Sequence, residues 1–125
     1  MTRTQQVCLV KVFKQEDFDR FAHLSGDNNP IHTDPEFSAG SRFGRTVAHG
    51  LLLCSVLRGL TEQLVPGGRL DEQAVMFPAP TYANEAMQFA IDITGQYDDG
   101  FELALVVKRM DDDVVTCQGY ARVAT

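Results

Sequence analysis

The most chemically crowded stretch of this 125-residue chain is Phe21-Ala-His-Leu-Ser-Gly-Asp-Asn-Asn-Pro-Ile-His-Thr-Asp-Pro-Glu-Phe37. Asp27 stands just past a helical pattern, and Pro30 disfavours helix for Asn29, so the chain turns there and brings His32 back on the returning arm. The two side chains then face one pocket. A carboxylate, ionised at neutral pH, beside an imidazole, which exchanges its proton near neutrality, supplies a base and a proton carrier. Such a pair can share one water molecule. One group draws off the water's proton while the other returns a proton to a substrate carbon, which is what adding water across an activated double bond requires. Two other readings stay open: Asp27 and His32 satisfy turn hydrogen bonds only, or Asp27, His32 and Asp34 ligate a metal.

A second group is Val47-Ala48-His49-Gly50-Leu51, where a glycine opens an apolar run. Glycine allows close approach, and the free N–H groups of a helix start, aided by the dipole, stabilise negative charge developing on a thioester oxygen. The plainer alternative is that Gly50 permits tight packing while His49 caps or packs locally.

The elements that must hold these residues follow from periodicity. Residues 6–13 carry Val7, Cys8, Leu9, Val10, Val12 and Phe13, a run that suits a buried strand. Phe18, Phe21 and Ala22 recur at helical spacing between Gln15 and Leu24, with Glu16 and Asp17 in the first turn. Asp34 and Pro35 are placed as N-cap and first residue of a short helix. The run from Gly50 to about Leu64 is apolar on nearly every side for two turns, hence a buried helix, and Pro66-Gly67-Gly68 ends it. Strands are expected over Gln73 to Phe77, Ala86 to Tyr97, Phe101 to Arg109 and Val114 to Val123, the last three antiparallel through turns at Asp98-Asp99-Gly100 and Met110-Asp-Asp-Asp113. The three aspartates read as a solvated turn. A sheet of about five strands buries most apolar surface by wrapping around the long helix, an α+β fold spanning 1–125 as one domain.

Composition narrows the class. With 44% hydrophobic and 22% charged residues the chain is an ordinary globular domain, large enough to fold around its own core. A net charge of −6 argues against nucleic-acid binding, so an anionic ligand needs a local basic patch. Cys8, Cys54 and Cys117 are far apart and set among apolar neighbours, as reduced core residues would be. The polar start and the short apolar runs point to neither a signal sequence nor a membrane span, and so to the cytoplasm.

Gly26-Asp27-Asn28-Asn29-Pro30-Ile31-His32-Thr33-Asp34 resembles the motif of the MaoC-like, (R)-specific enoyl-CoA hydratases, Gly-Asp-x-Asn-Pro-x-His with an acidic residue two positions on. The wider resemblance runs from about Phe18 to Leu60. It implies a hot-dog fold, a homodimer or dimer of dimers, and an acyl-CoA or acyl-carrier-protein thioester as substrate, with no metal or prosthetic group. By that resemblance Asp27 and His32 are the catalytic pair, Asn29 supports the site, and the Gly50 N–H binds the thioester oxygen. Phe43, Leu51 and Phe77 are candidates for the acyl tunnel. Arg42 or Arg45 stands near the cofactor phosphates, through the planar fork of donors an arginine presents, or is solvated surface.

Two places depart from the family pattern. Some members carry a serine where Arg58 falls, leaving Ser55 as the nearby hydroxyl, and the usual Pro-x-x-x-Gly-Asp reads Pro80-Thr-Tyr-Ala-Asn-Glu85. Other enzymes of this fold place a catalytic carboxylate on the buried helix, and no Asp or Glu occurs from Gly50 to Thr61, which counts against thioester hydrolysis. A binding module without activity, or half of a hetero-oligomer, is the third reading. The expected reaction is reversible syn hydration of trans-2-enoyl-CoA to (R)-3-hydroxyacyl-CoA, with chain length and pathway open.

Overall fold

The computed structural model describes residues 5–125; Met1–Thr4, most of the polar start, lie outside the described residues. Strand β1 (Gln6–Val12) leads into α1 (Gln15–Ser25), two short helices α2 (Pro30–Thr33) and α3 (Pro35–Ala39), and α4 (Gly50–Leu64). Then follow β2 (Arg69–Met76), β3 (Ala86–Tyr97), β4 (Gly100–Arg109) and β5 (Val115–Ala124). The strands form one antiparallel sheet in the order β1-β3-β4-β5-β2. This is the helix-wrapping sheet of the hot-dog fold.

Period-2 patterning sends Met87, Phe89 and Ile91 of β3 and Leu103, Leu105 and Val107 of β4 to the inner face. Against them α4 lays Leu53, Leu57, Leu60 and Leu64, spaced three and four apart so that they share one side of the helix. Burying a leucine stabilises by about 1.5–3 kcal/mol. These four therefore hold α4 to the sheet far more firmly than its solvated Arg58–Glu62 pair, 3.9 Å apart. Phe13 and Phe18 close the end of the core, with Phe13 edge-on to Phe89 at 6.1 Å.

Several expectations are corrected. β1 is not buried: among the described residues it is an edge strand paired only with β3, and none of them covers Leu9, Val10 and Val12, which are exposed. Nor is α4 covered all round, since Leu51 is 69% exposed and Ser55 and Gly59 face out. Of the cysteines, all free, Cys117 is in the core, Cys54 is half-buried and Cys8 lies exposed on β1. Burial pushes the Cys117 thiol up to about 12, which keeps it protonated and unreactive. β2 begins at Arg69, four residues early, because an edge strand tolerates the polar Arg69, Asp71 and Glu72. The expected turn after α1 is present, and the short helix α2 follows it. No helix among the described residues is long and apolar enough to cross a membrane.

Candidate active site

α1 stops where Gly26 adopts a left-handed φ of 82° and returns its N–H to the Ala22 carbonyl, so the chain leaves the helix at Asp27. Ser25 Oγ accepts the Asp27 N–H at 3.1 Å, and Asp27 Oδ1 accepts the Asn29 N–H at 3.4 Å. Asn29 then caps α2: its Oδ1 accepts the Ile31 N–H at 3.1 Å, with Pro30 at the first helical position. Asn29 thus caps the short helix that carries His32. Asp34 does the same for α3, accepting from Glu36 and Phe37, and so stands apart from Asp27 and His32.

His32 Nδ1 lies 2.7 Å from the Val47 carbonyl. A carbonyl only accepts, so Nδ1 carries the hydrogen, and Nε2 is left to face Asp27 Oδ2 across 3.9 Å. That gap is too long for a direct hydrogen bond and suits a water bonded to both groups. Both groups keep access to solvent, Asp27 more than His32.

The segment before α4 is tied to this turn from the other side. The Val47 N–H donates to the Ile31 carbonyl at 3.1 Å, so Val47 contacts the turn through both its backbone groups, while the Ala48 N–H donates to Thr81 at 2.8 Å. His49 occupies the N-cap of α4 with extended backbone but makes no side-chain cap. Its Nε2 reaches the Asp27 carbonyl at 2.9 Å, its ring stacks on His32 with centroids 3.8 Å apart at 23°, and Phe21 lies 4.9 Å from it. Gly50 opens α4. A Cβ there would stand 2.7 Å from Phe77 Cζ, so the phenylalanine ring rests on the glycine backbone and a larger residue would push that ring aside.

These groups line one cavity of about 860 Å³, and Phe43, Leu51, Phe77, Val75, Leu53 and Cys54 form its apolar walls. The three tunnel candidates are therefore brought together. Arg42 reaches the same cavity, its guanidinium 4.6 Å from the Phe43 ring centroid. Arg45 does not: it donates to Ala83 O at 2.6 Å, pairs with Glu85 at 3.2 Å and lies over Tyr82. Ser55 is also outside, exposed and bonded to its own helix at Leu52 O, 2.7 Å. Arg58 pairs with Glu62 along α4. Asn84 takes φ 66°, the left-handed position where the family motif has glycine, and Asn adopts that conformation more readily than most side chains. The 80–85 turn thus keeps its shape with a different residue.

Two lining residues had no local signal. Thr81 and Thr116 are buried and hydrogen-bonded hydroxyl to hydroxyl at 2.9 Å. Thr116 is the extra residue of a bulge, since Val107 pairs with Cys117 while Lys108 pairs with Val115, and the bulge turns it into the cavity. Asp27, His32 and His49 bring possible ligand atoms within 4.8 Å of one another. Two of the four ring nitrogens are already engaged, His32 Nδ1 by Val47 O and His49 Nε2 by Asp27 O.

A family model described as "MaoC like domain" matches residues 2–115. The chain is 35% identical over 97 residues to an (R)-specific enoyl-CoA hydratase of Aeromonas caviae, covering 76% of this chain and 72% of that one. It is 35% identical over 92 residues to a 3-hydroxyacyl-thioester dehydratase Z of Mycobacterium tuberculosis, covering 69% of this chain and 61% of that one. The solved (R)-hydratase from A. caviae, involved in PHA biosynthesis, superposes with a TM-score of 0.90 at 29% identity, covering 99% of this chain and 96% of that one.

Proposed function

The chain belongs to the MaoC-like domain family, and from that premise we propose that it is an (R)-specific enoyl-CoA hydratase, adding water reversibly and syn to a trans-2-enoyl thioester. The observation that carries the reading is the 3.9 Å separation of Asp27 Oδ2 and His32 Nε2 at the wall of one cavity, which lets a single water beside them bond to both.

For the reaction His32 is an imidazolium: its Nδ1–H is engaged by Val47 O, and the hydrogen on Nε2 is the one proton the pair has to give. Asp27 takes a proton from the bridging water as its oxygen bonds to C3, and His32 Nε2 delivers its proton to C2. The pair still holds one proton, now on Asp27, and its passage back to His32 resets the site. Both transfers come from one side of the alkene, which makes the addition syn. Charge that gathers on the thioester oxygen meets the first N–H groups of α4 and the positive end of its dipole, at Gly50. No metal or prosthetic group takes part in these steps. Two copies are proposed to assemble through the exposed edges of the sheet.

The test follows the loss of conjugated enoyl absorbance with crotonyl-CoA and longer homologues, beside a free-thiol assay. Absorbance loss without thiol release is expected. Thiol release without hydration would make the protein a thioesterase, and tight binding without turnover a binding module.

Arg42 is proposed to meet the phosphates of the carrier, a reading supported by its position on the wall of the same cavity. Arg42→Ala should raise KM for crotonyl-CoA roughly two- to five-fold, the scale of an exposed ion pair. The KM for a crotonyl thioester of N-acetylcysteamine, which has no phosphate, should not move. An equal rise for both thioesters would remove Arg42 from this role.

A further inference from the structure

We propose that His49 is a positioning residue that fixes both members of the proton-handling pair at once; the inference rests on the acid/base reading of Asp27 and His32. Three observations carry it. His49 is buried, 3% exposed, although it lies between an exposed turn and an open cavity. Its Nε2 reaches the backbone carbonyl of Asp27, and its ring face lies against the ring of His32. It therefore touches one member through the main chain and the other through its π-face, and it is the residue immediately before Gly50.

The hydrogen-bond partners require a hydrogen on opposite nitrogens of the two rings. The Asp27 carbonyl only accepts, so His49 carries its hydrogen on Nε2, whereas His32 carries one on Nδ1 for Val47 O. The lone pair of His49 Nδ1 has no partner among the described residues and is shut away from solvent. A buried nitrogen left unpaired costs stability, so a residue kept here is held by what its other nitrogen and its ring face do. The donor pins the carbonyl of Asp27, which limits rotation of the peptide that aims the carboxylate. The stack blocks the face toward which the His32 ring would otherwise turn, leaving its Nε2 directed at Asp27. A misplacement of about 1 Å in such a pair slows a reaction by roughly 10²-fold.

Two variants separate the contacts. His49→Gln keeps an amide N–H within reach of the Asp27 carbonyl and loses the stack; His49→Phe keeps the stacked ring and loses the donor. On crotonyl-CoA, His49→Phe should lower kcat roughly 100-fold and His49→Gln roughly ten-fold, with KM within about three-fold of wild type in both. Partial rescue by Gln is the result a merely space-filling histidine would not give. Long-range 1H–15N spectra of the wild-type protein supply a reading that needs no variant, so misfolding of His49→Phe leaves the proposal testable. His49 is expected with hydrogen on Nε2 and His32 with hydrogen on Nδ1. A kcat for His49→Phe within two-fold of wild type, a loss confined to KM, or His49 found with its hydrogen on Nδ1 would overturn the proposal. Wild-type protein that shows hydrogen on those two nitrogens but no turnover would instead overturn the hydratase reading alone.

Discussion

Asp27→Asn should lower kcat for hydration of crotonyl-CoA by roughly 10²–10⁴, the loss that follows removal of a general acid or base. The substitution is isosteric, and an amide oxygen at the Oδ1 position still accepts the Asn29 N–H. Asp27 is also exposed, so the change leaves no hole in the core and removes only the ability to take a proton from water. His32→Ala should produce a loss of the same order, since the proton bound for C2 then has no carrier. The double variant is expected to be little worse than either single one, because the two groups act as a unit and the second removal finds nothing left to disable. Initial rates from the fall in enoyl absorbance measure all three. Turnover by Asp27→Asn within ten-fold of wild type would remove Asp27 from the mechanism.

The largest expected effect on stability lies far from these residues. Gly119 on β5 faces Val75 on β2 and Leu105 on β4, and a Cβ there would stand 1.9 Å from the Ala74 carbonyl oxygen and 2.8 Å from Val75 Cα. Those atoms are backbone, held in register on both sides, so no side chain can swing away to make room. Gly119→Ala should therefore cost about 2–4 kcal/mol, a large part of the roughly 5–15 kcal/mol that holds a domain folded. Gly59→Ala is the control: on the outer side of α4 nothing lies within 4 Å of the added methyl, and replacing a mid-helix glycine should stabilise by about 0.5–1 kcal/mol. Urea unfolding with an unchanged slope reads both. Equal behaviour of the two variants would refute the close-approach account.

Periodicity alone located α1, α4 and the three long strands, because each has one apolar face set by a period of 3.6 or 2 residues. It misjudged β1, whose β-branched composition suits pairing as well as burial; composition does not say whether a second layer covers a strand. α2 was hidden by its length, four residues, although Asn29-Pro30 repeats the cap-and-proline pair recognised at Asp34-Pro35. The convergence of Asp27 and His32 was legible because it is local. The contact from His49 to Asp27 spans 22 residues and that from Thr81 to Thr116 spans 35, and only the folded sheet brings such partners together. Arg45 and Ser55 were reasonable by type, but nearer partners hold both of them away from the cavity.

Val47 contributes no side chain to the chemistry, yet its N–H and its carbonyl engage Ile31 and His32 in turn. The turn that bears Asp27 and His32 and the segment leading into α4 are thereby lashed together through main chain, three residues upstream of Gly50, where the oxyanion is proposed to be met. With all three cysteines free, this small protein has no covalent clasp across that junction. Its tolerance for error rests on the two peptide units that flank Val47 Cα, so a change that tilts Val47 should detune both halves of the reaction without touching either reacting group.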